Sequence, residues 1–512
     1  MDLLLINPGN STGIYQDLSQ NLAAIEPPTW ALLLAEAARS KGFSVGILDA
    51  NAERLTIDEA VKRVVDTNAR INCFVVYGQN VNSGTVAMSG ACSLAKALKL
   101  KNEKSRNIFV GSYVQALPKK TLADESSIDI VLTNEGVYSL LNLLKLENFS
   151  EKNLREVKGL CFRDFSGNIL MTEPEIIVPS SRLDTDLPGY AWDLLPFRER
   201  PLDMYRSPLW HAGYNEKQRS PYAAIQTSLG CNFGCSFCMI NIINRSDNEE
   251  IGVASNYKGM RFWSIEHTIK QFDQLADLGV RTIRVVDEMF LLYRKHYEPL
   301  CNLLSKRSYS EELRMWAYSR VDTVTNPDVL KLVRSAGFRW LCLGIESATK
   351  SVRLEVSKGQ FEDVDIAAVI SQVHNADIEV LANYIVGLPG ETSESMQRTL
   401  DFSVELCTSG WNMYTAMALP GSELYKNAID QGLPLPKSYT GYSWHSKDSY
   451  PLATKSLTSA EIVAFRDLAF TEYHKNPAFL SRIYSKFGDE AVQTIKKMNS
   501  VTLERDLLNQ PK

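Results

Sequence analysis

The chain has 512 residues, 45% of them apolar and 22% charged, with a formal net charge of -5 at pH 7. Its length exceeds what one hydrophobic core usually organises, so two or three domains are expected, and the mild acidity offers no basic field for nucleic acid or an anionic membrane. No apolar stretch approaches the roughly 20 residues of a membrane span, and "MDLLLINPGN" lacks the basic region and cleavage site of a signal peptide, so the expectation is a cytoplasmic protein with reduced cysteines.

Residues 1–145 alternate apolar strands with amphipathic helices. "LLLINP" (3–8), "FSVGILDA", "INCFVVYG", "NIFVGS" and "IDIVLTNEG" read as strands; "WALLLAEAARSKG" (30–42) and "SGTVAMSGACSLAKALKL" read as helices, the first stopped by Gly42. This rhythm predicts a doubly wound, flavodoxin-like parallel α/β sheet, whose ligands sit beyond the carboxyl ends of the strands. Those ends are rich in small and polar residues, as ordinary turns also are. The basic run Lys96–Arg106 reads as a solvated helix end.

Residues 146–215 read as a connector, with "GLCFRDFSGNILMTEP" as a hairpin and "LDTDLPGYAWDLLPFRERP" as a proline-marked crossing. A second series of strands then fills 216–430: "AAIQTSL" (223–229), "RTIRVVD" (281–287), "LRMWAYSRV" (313–321), "RWLCLGIES" (339–347), "IEVLANYIVGL" (378–388) and "WNMYTAMAL" (411–419). Helix-sized segments between them predict a partial (β/α)6 barrel with its active site on the loops after the strands. Residues 431–512 read as helical, with Thr458 and Glu461 as a capping box and Leu457 and Ile462 as its staple. The aromatic stripe of that helix is expected to pack on the barrel.

Six of the nine cysteines (Cys73, Cys92, Cys161, Cys301, Cys342 and Cys407) are scattered singly and read as small structural hydrophobes. Cys231, Cys235 and Cys238 instead fall together in "LGCNFGCSFCMI", directly after the first barrel strand. A structural zinc site wants four ligands, and the nearest histidines, His211 and His267, stand at no knuckle spacing. Three soft thiolates suit a 4Fe-4S cluster with one iron left open to a small molecule.

CxxxCxxC in this position, with Phe237 just before the last cysteine, resembles the signature of radical S-adenosylmethionine enzymes. In that family the open iron chelates S-adenosylmethionine and an electron from the cluster cleaves it to a 5'-deoxyadenosyl radical; an electron donor such as flavodoxin or ferredoxin is implied. "VVDEMF" (285–290), "SRVD" (319–322), "GIES" (344–347), "VGLPGET" (386–392) and "ALPGS" (418–422) extend the resemblance along the barrel. It implies that Phe237, Arg320, Glu346 and the turn at Gly387 touch S-adenosylmethionine, although Glu346 also reads as a plain loop carboxylate.

The N-terminal stretches "INPGN", "PPTWALLLAEAARSKGF", "NIFVGSYVQALPKKTL" and "IVLTNEG" resemble the cobalamin-binding domain of one radical S-adenosylmethionine subclass. The resemblance implies a cobalamin site among Asn7, Pro8, Trp30, Gln79, Asn80, Asn82, Ser83, Gly111, Ser112, Glu135 and Gly136. One departure stands out: residues 1–200 contain no histidine, so this domain offers no imidazole to the cobalt. A domain that binds nothing would show the same absence. A second departure is the long loop 240–264, where Arg245, Lys258 and Arg261 read either as holders of an anionic substrate or as solvated loop charges.

The resulting expectation is a cobalamin-dependent radical S-adenosylmethionine methyltransferase acting on an unactivated carbon of a small metabolite. Its rivals are oxidative cyclisation or rearrangement by the same cofactors, and a non-catalytic cobalamin or iron-sulfur sensor.

Overall fold

The computed structural model describes all residues except 10, 79, 208–218, 325, 357–363 and 510–512. Seven strands form the first sheet: β1 (Leu3–Asn7), β2 (Val45–Asp49), β3 (Ile71–Val75), β4 (Asn107–Val110), β5 (Ile130–Leu132), β6 (Leu160–Arg163) and β7 (Ile169–Met171). Their order is β2-β1-β3-β4-β5-β6-β7. The strands β1 to β5 are parallel and nearly all buried, as a sheet covered by helices on both faces requires. The hairpin β6–β7 adds antiparallel strands to the β5 edge, so part of the expected connector extends this sheet and makes it mixed. A helix not singled out from the sequence, Ile57–Thr67, joins β2 to β3 behind a Thr56–Glu59 capping box. Because β1 is flanked by β2 on one side and β3 on the other, the order reverses there, and the loops after β1 and β3 border a topological switch point.

The second sheet is the expected partial barrel. Its strands β8 (Tyr222–Ile225), β11 (Thr282–Val285), β12 (Arg314–Arg320), β13 (Phe338–Glu346), β14 (Glu379–Val386) and β15 (Gly410–Thr415) lie in the order β15-β14-β13-β12-β11-β8, all parallel. "AAIQTSL" is not one strand: it breaks after Ile225, and β9 (Ser228–Cys231) pairs antiparallel with β10 (Gly259–Phe262) in a separate ribbon. The break is held by buried Asp287, which accepts from Thr227 N–H at 2.6 Å and from the Ser228 hydroxyl at 2.7 Å.

Alternation along these strands sorts the barrel interior into layers. Trp316, Trp340 and Leu381 pack with Cys342, and against Phe487, toward the amino ends. Tyr318, Arg320, Glu346 and Asn383 face a cavity toward the carboxyl ends. The C-terminal helices Ser459–Lys475, Pro477–Phe487 and Asp489–Asn499 cover the barrel: Trp411 stacks on Tyr473 at 4.9 Å and Trp340 on Phe487 at 5.6 Å. The Thr458–Glu461 capping box opens the first of these helices. No helix among the described residues is long and apolar enough to cross a membrane.

Candidate functional site

The cysteine loop leaves the antiparallel ribbon at Cys231, whose N–H donates to Asn241 Oδ1 at 2.8 Å. Gly230 adopts φ +83° and a side chain there would collide with the Gly259 carbonyl, so the close crossing of β9 and β10 requires glycine. Cys238 N–H closes a turn onto the Cys235 carbonyl at 3.0 Å. Two outside contacts pin the loop. Phe233 lies under the Arg320 guanidinium at 4.2 Å, and the first sheet sends Asn82 to Cys238 and Met239.

Cys231 and Cys235 are buried and Cys238 is partly so. Burial, then the neighbouring Cys235 and Glu288, push the Cys238 thiol well up, so loading this loop with iron must release a proton from it.

Two cavities of about 220 Å3 each adjoin the loop. The inner one, inside the barrel mouth, is lined by Phe237, Cys238, Arg320, Glu346, Asn383 and Thr415, among others. The outer one lies at the switch point of the first sheet, between Tyr15 after β1, Asn80, Asn82 and Ser83 after β3, and Trp444 from the C-terminal part. They share Asn80, Asn82, Arg284, Tyr318, Tyr414 and Trp444 and so lie side by side. Thr415 Oγ1 and Arg284 Nε, on residues that line these cavities, are fully buried and have no hydrogen-bond partner among the described residues. Arg284 itself forms a buried ion pair with Glu26 and stacks on Trp316 at 4.8 Å and Tyr318 at 5.2 Å.

The sequence-derived residues divide sharply. Phe237, Arg320 and Glu346 meet Cys238 around the inner cavity; Arg320 is held by Asp322 at 2.9 Å, and Glu346 takes φ +66° at a register shift between β13 and β14. Gly387 does not line either cavity. Its φ of +77° and its packing against Ile462 place it in a turn under the C-terminal helix.

Asn80, Asn82 and Ser83 line the outer cavity, but the other strand-end residues are consumed by the fold. Asn7 donates to Asp49 at 2.8 Å, and Pro8 is buried. Trp30 Nε1 donates to the Glu135 carbonyl at 3.1 Å. Gly111 and Ser112 pack against the Val76 carbonyl and the start of the helix Gly84–Lys101, and Gly136 N–H is tied to Asn134. Gln79 lies outside the described residues.

The proposed anion holders need correction as well. Arg245 is fully buried and donates to the carbonyls of Gln115 and Glu249, with Asp247 at 3.1 Å. Arg261 pairs with Glu135 at 2.7 Å and donates to the Val178 carbonyl and Asn244. Both bind the loop 240–264 over the ends of β4 and β5, and the Glu135 carboxylate is taken up in that contact. Lys258 is exposed and lies against Gly234 of the cysteine loop, outside both cavities.

Sequence reasoning missed Arg284, Tyr318, Asn383 and Tyr414. All four are polar side chains at inward positions of apolar strands, a signal available from alternation alone. Trp444 reaches the cavity only through the tertiary fold and left no such signal.

Residues 225–403, which span the cysteine loop and most of the partial barrel, match the Radical SAM superfamily. The chain is 24% identical over 481 residues to an uncharacterised methyltransferase of Pyrococcus horikoshii, covering 94% of each chain. It is 23% identical over 448 residues to an anaerobic magnesium-protoporphyrin IX monomethyl ester cyclase of Cereibacter sphaeroides, covering 84% of this chain and 64% of that one. Its fold is similar to that of OxsB, a cobalamin-dependent S-adenosylmethionine radical enzyme solved with aqua-cobalamin and S-adenosylmethionine bound, at a TM-score of 0.65 and 15% identity over 97% of this chain and 72% of that one.

Proposed function

We propose that this protein is a cobalamin-dependent radical S-adenosylmethionine methyltransferase that methylates an unactivated carbon of a small metabolite. The observation that carries the reading is the pair of adjoining cavities, with shared lining, between the cysteine loop, the barrel mouth and the switch-point loop of the first sheet. Bound there, the cluster and S-adenosylmethionine would supply a radical for hydrogen abstraction and cobalamin a methyl group, chemistry that the protein steers and shields.

The residues have matching work. Cys231, Cys235 and Cys238 hold the cluster; Phe237, Arg320 and Glu346 shape the inner cavity for S-adenosylmethionine. Asn80, Asn82 and Ser83 face cobalamin from the switch point. The aromatic side chains of Tyr318, Tyr414 and Trp444 keep water from the shared space where hydrogen abstraction takes place. The substrate is a small molecule that fits between the two ends, and an external protein such as flavodoxin or ferredoxin delivers the electron.

The methyltransferase identity of the Pyrococcus relative supports methyl transfer, and the cyclase relative supplies the competing reading. Anaerobic turnover with reductant, cobalamin and S-adenosylmethionine, across candidate substrates, decides between them. With the true substrate, S-adenosylhomocysteine and 5'-deoxyadenosine should form in about equal amounts, and deuterium at the methylated carbon should move into 5'-deoxyadenosine. Substrate-dependent 5'-deoxyadenosine without S-adenosylhomocysteine would assign cyclisation or rearrangement instead. Failure of any condition to cleave S-adenosylmethionine would support the sensor reading.

A further inference from the structure

Asn82 stands on the short 3-10 turn Val81–Ser83, two residues before the long helix Gly84–Lys101 begins and 156 residues from the cysteine it touches. The turn is rigid by construction. Ser83 N–H donates to Asn80 Oδ1 at 3.2 Å and Asn80 N–H donates to Ser83 Oγ at 3.1 Å, so the two neighbours close a reciprocal box around it, while Val81 is buried.

Both ends of the Asn82 carboxamide are used on the cysteine loop. Oδ1 accepts the Met239 N–H at 2.9 Å, which orients the amide, and Nδ2 then points its hydrogens at Cys238 Sγ at 3.7 Å, within reach of an N–H···S bond. Asparagine alone among side chains of this size offers an acceptor and a donor in this geometry: aspartate presents two acceptors and leucine neither. A hydrogen bond to a cluster thiolate draws electron density from the sulfur and favours the reduced cluster.

We propose that Asn82 is a positioning residue of the iron-sulfur cluster: from the first sheet it holds the Cys238 end of the loop and, through its N–H···S bond, raises the cluster's reduction potential. The inference rests on the reading of the three cysteines as cluster ligands. It makes the N-terminal sheet a working part of the redox site, whether or not that sheet also binds cobalamin.

The test uses full-length, anaerobically reconstituted protein, with the wild type compared with Asn82→Asp and Asn82→Leu. Iron content and visible absorption report the cluster itself, and spin-resonance potentiometry reports its midpoint. About four irons per chain should be retained. The midpoint should move to more negative potential in both variants, further in Asn82→Asp, which adds a negative charge. Unchanged midpoints at full iron content would overturn the proposal, whereas a wild type without iron would overturn the cysteine reading and leave the two failures distinct.

Should Asn82→Leu lose the cluster, Asn82→Asp still carries the test, because it keeps the acceptor for Met239 N–H, and the nitrogen coupling described next separates loss of the donor from the added charge. A second readout needs no loss of function at all. In protein labelled with 15N-asparagine, pulsed spin resonance of the reduced cluster should show a 15N coupling that Asn82→Asp removes, beside any that Asn232 and Asn241 give in both proteins; identical 15N spectra of wild type and variant contradict the proposed bond.

Discussion

Glu135 at the end of β5 and Arg261 on β10 form a 2.7 Å ion pair with the two side chains 1% and 7% exposed. Each looked from the sequence like a ligand contact, Glu135 for cobalamin and Arg261 for an anionic substrate, and each is instead the other's partner. The carboxylate also accepts from Val178 N–H at 2.5 Å, so it is fully engaged between sheet and barrel. Removing one member of a buried pair strands the other charge: Arg261→Met should cost about 3–5 kcal/mol, and Glu135→Gln combined with Arg261→Met clearly less than the two single losses added together. Urea-unfolding midpoints of the four proteins measure this, and additive losses would show that the pair is not coupled.

The three cysteines carry the sharpest compositional prediction. Reconstituted protein should bind about four irons, and a variant with Cys231, Cys235 and Cys238 all changed to alanine should bind none, while Cys301→Ala, at a buried position on the helix Arg294–Leu304, should leave iron content unchanged. Iron retained by the triple variant would move the cluster elsewhere.

Cobalamin should bind in a form without a protein imidazole on cobalt. The first 200 residues contain no histidine, and the one histidine lining the outer cavity among the described residues is His445. Burial and the neighbouring Arg466 lower its pKa to about 3, and its Nε2 already faces the Arg466 guanidinium at 3.4 Å. Bound Co(II) cobalamin should therefore give base-off absorption and a spin-resonance spectrum lacking nitrogen splitting from the protein. Splitting that vanishes in His445→Ala would assign the ligand to the C-terminal part, and absence of binding would leave the first sheet a structural role.

Much of this architecture could be read from local pattern. The five parallel strands of the first sheet and the six of the barrel are apolar runs whose positions follow from period and turn chemistry, and the cysteine spacing marks the chemistry directly. What could not be read is which polar residue at a strand end serves a ligand and which serves the fold. Asn7, Trp30, Arg245 and Arg261 carry the same side chains that ligand sites use, but their partners Asp49, Glu135 and Gln115 lie 42 to 130 residues away. The β8–β9 break is invisible for the same reason, since the Asp287 that holds it is 60 residues downstream of Thr227.

The turn after β14 supplies a pH dependence. Glu391 is wholly buried there; its carboxylate accepts from Leu388 N–H at 3.1 Å, yet burial pushes its pKa from the ordinary 4.5 up to about 7. Below pH 4.5 the folded and unfolded chains both hold this proton, and the group has no effect on the pH dependence. Between 4.5 and 7 the unfolded chain releases it while the folded chain keeps it, so stability falls as pH rises, by roughly 3 kcal/mol in all, and levels off above 7. Glu391→Gln keeps an acceptor for Leu388 N–H and has no proton to release. Its urea midpoint should match the wild type near pH 4.5 and exceed it increasingly up to about pH 7, the gap then levelling off, with both proteins in the same state of iron loading. Parallel profiles across that range would mean that Glu391 ionises normally in the folded protein, and that the turn at Gly387 opens to water.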